Sequence, residues 1–266
     1  MLKKRIIPVL LLKNGWIVQS KNFSEHKQIG NALHSVKRLS EWASDELVYL
    51  DISRDQDYDI KRDDQKYKNL ENFLEIIKNV CELSFMPINV GGKIKSIEDI
   101  KTRLKLGADK VTINTKALED SFFIKKAVEE FGSQCIVVSM DVKKIGNNYF
   151  VFKNFGKINT GIKVEEWCEK VQKMQAGEIL LNSIDRDGNK SGYDIDLIKR
   201  VKKILNIPLI PLGGVGSWQD FCDVIDLTEV NAVAASNIFH YFDQSVYLAR
   251  KYLHDKNYNV RKPILM

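Results

Sequence analysis

No stretch of this chain approaches the roughly 20 consecutive apolar residues that a membrane-spanning helix requires. The opening Met-Leu-Lys-Lys-Arg-Ile-Ile is basic then apolar, but its apolar part is short and no small-residue cleavage site follows. It reads as a first strand rather than a signal peptide. Cysteine is scarce: Cys81, Cys135, Cys168 and Cys222 lie far apart in apolar or amphipathic segments, without metal-ligand spacing. Buried thiols in a reducing cytoplasm account for them better than a disulfide framework. The four histidines, His26, His34, His240 and His254, form no ligand motif either, so no metal or cofactor is expected. An aromatic-interleaved basic stripe is also missing. The formal charge of +6, from 41 Lys and Arg against 35 Asp and Glu, is therefore a weak argument for nucleic acid and suits a phosphorylated small substrate equally well. Neither nucleic acid nor membrane is expected as a partner.

What is present is a core-forming composition: 266 residues, 44% hydrophobic and 29% charged, enough for one large globular domain or two small ones. The most informative stretch runs from Glu178 to Asp194. Ile179, Leu180 and Leu181 form a short apolar run of the kind that makes a strand buried on both faces. Asp185, Arg186, Asp187 and Gly188 then interrupt it. From Asp194, a natural N-cap, the apolar residues Ile195, Leu197, Ile198, Val201, Ile204 and Leu205 follow at helical spacing. Strand, polar loop and amphipathic helix make one βα unit. Carboxylates and glycines gathered at the C-terminal end of such a strand mark where barrel and doubly wound enzymes keep their chemistry. A solvated turn would explain Asp-Arg-Asp-Gly as well.

The rest of the chain repeats the unit. Strands are predicted at Arg5–Leu12, Glu46–Ile52, Pro87–Val90, Lys110–Ile113, Cys135–Asp141, Pro208–Leu212 and Val230–Ala235, besides the one at Ile179. Loops are predicted over Lys13–Lys27 and, highly charged, over Asp55–Lys66; an inserted hairpin is predicted over Lys143–Lys153 around Gly146. Helices are expected over Ile29–Trp42, Asn69–Leu83, Ile97–Leu106, Ala117–Phe131, Val164–Met174 and Asp243–Tyr252. Eight βα units indicate a (β/α)8 TIM barrel spanning 1–266 as one domain. An open doubly wound sheet is the alternative, and no Gly-x-Gly-x-x-Gly opening a helix supports it.

The halves also echo each other, as two half-barrels of about 1–132 and 133–266 would. Ile6-Ile-Pro-Val-Leu-Leu-Leu-Lys parallels Ile136-Val-Val-Ser-Met-Asp-Val-Lys, and Val90-Gly-Gly-Lys parallels Leu212-Gly-Gly-Val. Each Gly-Gly turn has a small polar partner one strand later, in Asn114-Thr115 and Ser236-Asn237. Two such nests suggest a ligand with a phosphate at each end.

Arg5-Ile-Ile, Asp45-Glu-Leu-Val-Tyr-Leu-Asp-Ile, Gly107-Ala-Asp-Lys-Val-Thr-Ile-Asn-Thr, Phe131-Gly-Ser-Gln, Asn159-Thr-Gly, Ala176-Gly-Glu-Ile-Leu-Leu, Ser183-Ile-Asp-Arg-Asp-Gly and Lys190-Ser-Gly-Tyr-Asp together resemble the cyclase subunit of imidazole glycerol phosphate synthase, from Met1 to about Arg261. The resemblance implies a half-barrel-duplicated (β/α)8 protein that forms a heterodimer with a glutaminase at the barrel's bottom. It would pass ammonia through the core to a bisphosphorylated ribulosyl substrate on top. It assigns Asp141 to catalysis and Gly91, Gly92, Asn114, Thr115, Asp187, Gly188, Gly213, Gly214 and Ser236 to phosphate binding. Arg5, Glu46, Lys110 and Glu178 match an ammonia gate, and Asp109 and Gln134 a glutaminase-facing rim. Charges that begin strands at a solvated edge are the plainer account of those four.

The chemistry does not carry over intact. The family's cyclase divides proton transfer between two aspartates, at the ends of the first and fifth strands, and Leu11 stands where the first should be. Gln19 replaces a first-loop lysine, Lys93 the third glycine of a nest, and Asn182 and Leu212 stand where hydroxyl residues are expected. These departures point to a paralogue supplying ammonia to a third, ammonia-using amidotransferase. Such paralogues are associated with amidino modification of surface-polysaccharide sugars. Two alternatives stand beside it. One is a working histidine-pathway cyclase in which Asp51, Asp185 or Asp187 substitutes for the missing acid. The other is a scaffold that activates the glutaminase without conducting ammonia.

Overall fold

The computed structural model describes residues 2–54, 58 and 72–265. Eight parallel strands form the wall of a (β/α)8 TIM barrel: β1 (Arg5–Lys13), β4 (Leu47–Asp51), β5 (Ile88–Gly91), β6 (Lys110–Ile113), β7 (Ile136–Ile145), β10 (Glu178–Ser183), β11 (Leu209–Leu212) and β12 (Ala232–Ala235). They pair in the order β11-β10-β7-β6-β5-β4-β1, with β12 on the free side of β1 and close beside β11. Each strand is buried on both faces, and the two-residue alternation divides its side chains between two cores. On β1, Ile7 and Val9 point inward, where they meet Val48, Val137, Leu180, Ile210, Ala232 and Ala234. Ile6, Leu10 and Leu12 point outward to the helix layer.

The helices are α1 (Ala32–Glu41), α2 (Phe73–Leu83), α3 (Ile97–Lys105), α4 (Thr115–Glu119), α5 (Phe122–Phe131), α6 (Val164–Lys173), α7 (Ile195–Lys202), α8 (Gln219–Thr228) and α9 (Ser245–Asp255). Local chemistry starts them. Asp194 Oδ1 accepts the Leu197 amide at 3.1 Å, the N-cap expected for α7. Ser96 and Asp99 form a reciprocal capping box at α3. The single helix predicted over Ala117–Phe131 is broken in two, because the Asp120 side chain accepts the Phe122 amide and competes with helix continuation.

The expected loop over Lys13–Lys27 is instead an antiparallel hairpin, β2 (Trp16–Lys21) and β3 (Glu25–Asn31). Asn14 and Gly15, at φ of 51° and 79°, make the two-residue turn that joins β2 to β1. The hairpin predicted after the fifth strand is present: β7 turns at Gly146 into β8 (Asn148–Lys153), and β9 (Ile158–Lys163) extends it. The loop expected over Asp55–Lys66, Tyr58 apart, lies outside the described residues, as does the expected start of α2. No helix among the described residues is long and apolar enough to cross a membrane.

Candidate functional site

At the N-terminal end of the barrel the four predicted gate residues come together. Each lies where inward alternation on β1, β6 and β10, and the residue before β4, puts a long side chain across the axis. Arg5 donates to Glu46 Oε2 at 2.7 Å and to Glu178 Oε1 at 2.6 Å. Lys110 Nζ donates to Glu46 Oε2 at 2.9 Å and to Glu178 Oε2 at 2.8 Å. Two cations and two anions thus close a ring in which every charge touches both opposite charges. Burial alone would lower the Arg5 pKa, but Glu178 and then Glu46 outweigh it and raise it. Burial would likewise raise Glu178, and Arg5 with Lys110 holds its carboxyl below the ordinary value instead.

Asp109 and Gln134 lie exposed on the same bottom face, before β6 and β7. Asp109 Oδ2 accepts the Ile88 amide at 2.8 Å, so its carboxylate also fixes the start of β5. Beside this strand start stands Phe85, 86% exposed, a residue that no sequence pattern marks. An apolar residue in a loop gives no periodic signal, and only its exposure sets it apart.

At the opposite mouth Asp141 ends the inward row of β7. Asn114 Nδ2 donates to its Oδ2 at 2.7 Å, and Asn182 is its register partner on β10. Burial pushes the Asp141 carboxyl up to about 7, hydrogen bonds from Asn114 and Asn182 partly oppose this, and the Asp187 charge adds to it. A carboxyl raised from 3.8 binds its proton more tightly folded than unfolded, so its stabilising contribution is present below about pH 4 and is lost as pH rises through about 7. Asp141→Asn should flatten the stability–pH curve across that window. Denaturant midpoints of both proteins at several pH values check this, and parallel curves would rule it out.

Across the barrel Leu11 lies in register with Leu50 and joins Leu212 in an apolar wall. The three carboxylates considered as substitutes are engaged elsewhere. Asp51 accepts from the Ser53 amide at 2.8 Å and Tyr58 Oη at 3.1 Å, and it pairs with Lys93 at 3.3 Å. Asp185 accepts the Lys144 amide at 2.8 Å. Asp187 accepts Ser20 Oγ at 2.6 Å and the Phe23 amide at 3.0 Å, which clasps the β2–β3 hairpin across the mouth. Asn237 holds the same hairpin through the backbone of Ser20. Gln19 faces Lys27 on this hairpin.

Of the residues assigned to phosphate, Asp187, Gly188, Gly213, Gly214 and Ser236 line one cleft with Lys190 and Asn237. The Ser236 hydroxyl is buried without a hydrogen-bond partner among the described residues. On the other side Gly91 ends β5 and Gly92 follows it, while Asn114 and Thr115 open α4. Gly92, at φ +101°, admits no side chain, because a Cβ would collide with the Asp51 carbonyl oxygen. Asn114 is drawn to Asp141, a role the phosphate assignment did not include.

The profile of the family described as histidine biosynthesis protein matches residues 5–244. The chain belongs to this family. Similar relatives include the imidazole glycerol phosphate synthase subunit HisF of Natranaerobius thermophilus, 39% identical over 98% of this chain and all of that protein. Those of Dehalococcoides mccartyi strain BAV1 and Sulfurisphaera tokodaii are each 40% identical over 98% of this chain, covering 99% and 100% of their own lengths. In this member of the histidine biosynthesis family the charged ring and Leu11 thus lie at opposite ends of one barrel.

Proposed function

We propose that this chain is the barrel subunit of a glutamine-dependent amidotransferase assembly, forming one unit of about 1–266 from two half-barrels. A glutaminase docks on the bottom face, ammonia enters through the ring of Arg5, Glu46, Lys110 and Glu178, and the top hands it to an acceptor. The closed ring carries this assignment. Four ionic contacts made by residues of three strands and the residue before a fourth form one neutralised aperture over an otherwise apolar core, and neutral ammonia crosses such a core where ammonium would be strongly disfavoured. Leu11 opposite Asp141 supports an acceptor other than the relatives' cyclase substrate. By the sequence resemblance this is a third, ammonia-using enzyme of surface-polysaccharide amidino-sugar synthesis, in the cytoplasm. A phosphorylated small molecule in the Gly213–Gly214–Ser236 cleft is compatible with it.

The test is reconstitution with the glutaminase and amide-labelled glutamine. Label should reach acceptor product in the presence of a large excess of unlabelled ammonium. Full dilution by the bulk pool would exclude conduction and leave the scaffold role. The second reading, cyclase in histidine biosynthesis, is favoured by the retained Asp141 and by full-length similarity to named synthase subunits.

Docking gives a separate expectation. Asp109→Lys should weaken glutaminase binding roughly tenfold or more by placing a like or unpaired charge in the interface. Phe85→Ala should weaken it roughly tenfold by removing an aromatic anchor. Calorimetry at low and moderate salt measures both, and unchanged dissociation constants would move the interface elsewhere.

A further inference from the structure

The two hairpins at the mouth carry the positive excess of the whole protein. Residues 13–31 hold three lysines and one glutamate, and residues 143–163 hold five lysines and no carboxylate. Outside these two segments 33 basic side chains stand against 34 acidic ones, so the formal charge of +6 originates in the hairpins. Six of the eight lysines, Lys21, Lys27, Lys143, Lys144, Lys157 and Lys163, are exposed. None of the eight ammonium groups is ion-paired among the described residues. The register of the second hairpin shows how the charge is displayed. Lys143 pairs with Phe150, and Phe150 with Lys163, so two lysines flank one aromatic side chain in a single row. By alternation Ile145, 44% exposed, shares that face of β7 with Lys143 and Asp141, and the face therefore borders the mouth. Phe155 and Ile158, each 43% exposed, stand at the turn into β9. The Phe23 ring of the first hairpin packs against this turn, where a Cβ on Gly156 would lie 2.8 Å from its Cδ2. The hairpins thus touch and make one basic rim.

We infer that this rim is the docking surface for the ammonia-accepting enzyme, which meets it with an acidic, partly apolar face, resting on the ammonia-delivering function proposed above. The six residues of β8 span about 20 Å at about 3.3 Å each, and a small phosphate ligand cannot engage lysines spread over that length. A nucleic acid would neutralise the lysines but leave Ile145, Phe155 and Ile158 in water. Apolar side chains set among charges of one sign fit a protein face with apolar patches inside an acidic border. Position names the occupant. A protein held on this rim covers the mouth where Asp141 lies, at the end of the barrel opposite the charged ring. The unneutralised lysines then draw an acidic partner in from a distance, and the apolar side chains hold it once water is excluded.

The experiment measures binding of the accepting enzyme to the assembly of full-length chain and glutaminase, at low and at physiological salt. Association should be fast at low salt and slow down as salt is raised. Lys143→Glu with Lys157→Glu and Lys163→Glu should slow it roughly tenfold to a thousandfold. Ile145→Ser with Phe155→Ser should instead speed dissociation roughly tenfold. Both variants should keep wild-type glutaminase binding and glutamine turnover, which also shows that they fold. Lys37→Glu with Lys126→Glu and Lys199→Glu, at exposed positions on three helices, makes the same change in net charge and should leave association nearly unchanged. Equal effects of the two triple variants, or no effect of either, overturn the docking surface. Tighter binding of a short DNA duplex than of the accepting enzyme, lost with Lys143, Lys157 and Lys163, also overturns it and assigns the rim to nucleic acid. If labelled amide nitrogen reaches product and the hairpin variants bind as wild type, the conducting function stands and this surface falls. If bulk ammonium dilutes the label fully while the hairpin variants lose binding, the surface stands and conduction falls.

Discussion

Replacing Lys110 by alanine is expected to raise the number of glutamines hydrolysed per amidated product. It should also destabilise the fold by roughly 3–5 kcal/mol, the usual range for breaking a buried ion pair. The lower end applies, because Arg5 and Lys110 keep 26% and 18% of their side-chain surface open to solvent and water can partly replace them. Lys110 bridges Glu46 and Glu178 and is half of the ring's positive charge. Without it two carboxylates share one guanidinium, and the ring carries a net negative charge beside an apolar tube. Either the aperture loosens and ammonia leaks, or water follows the uncompensated charge inward. Arg5→Ala should act in the same direction. The ratio of glutamine consumed to product formed is measured in the reconstituted assembly, with urea unfolding as the stability readout. If both variants keep the wild-type ratio, and added ammonium supports product equally in all three proteins, the ring is a solvated rim and nothing more.

With ammonium and the bisphosphorylated ribulosyl substrate that the sequence resemblance implies, the purified subunit is expected to turn over about 10²- to 10⁴-fold more slowly than a working cyclase, the usual worth of one positioned acid or base. The isobutyl group of Leu11 cannot move a proton, and Asp51, Asp185 and Asp187 are held by the partners described above. Leu11→Asp with Gln19→Lys should recover only part of the loss, since Lys93, Asn182 and Leu212 also change the mouth. In that double variant a carboxylate returns opposite Asp141, and mutual repulsion should push their pKa values apart, as a proton-donating and a proton-accepting pair requires. Ammonia-dependent turnover at the level of a working cyclase, abolished by Asp141→Asn, would instead establish the histidine-pathway reading.

The barrel, its strand order and the bottom ring were legible because they depend on local signals. Apolar runs of four to six residues mark strands, and a charge just before such a run marks a barrel end. Asn14-Gly15 is a strong two-residue turn signal for the pairing of β1 with β2, whereas the polar Glu25-His-Lys-Gln stretch carries no apolar alternation to mark β3. Residues such as Asn114 and Asp187 take phosphate roles from the resemblance alone. Their hydrogen bonds to Asp141, and to Ser20 and Phe23, join residues 27 to 167 positions apart, and no window of sequence carries that information.

The clasp between the first hairpin and the last strands sets an order of assembly. Ser20 is held by Asp187 and by Asn237, 167 and 217 residues further on. During synthesis the hairpin can pair with β1 as soon as it emerges, but its distal end has nothing to grip until most of the chain has been made. Contacts of this separation carry a loop-closure cost that shorter ones do not, and they favour late formation. The bottom ring waits less long, since Glu178 completes it before Asn237 exists. The bottom ring would therefore be finished while the opposite mouth is still open, and a chain truncated shortly before Asn237 should retain the ring yet lose the clasp on one side.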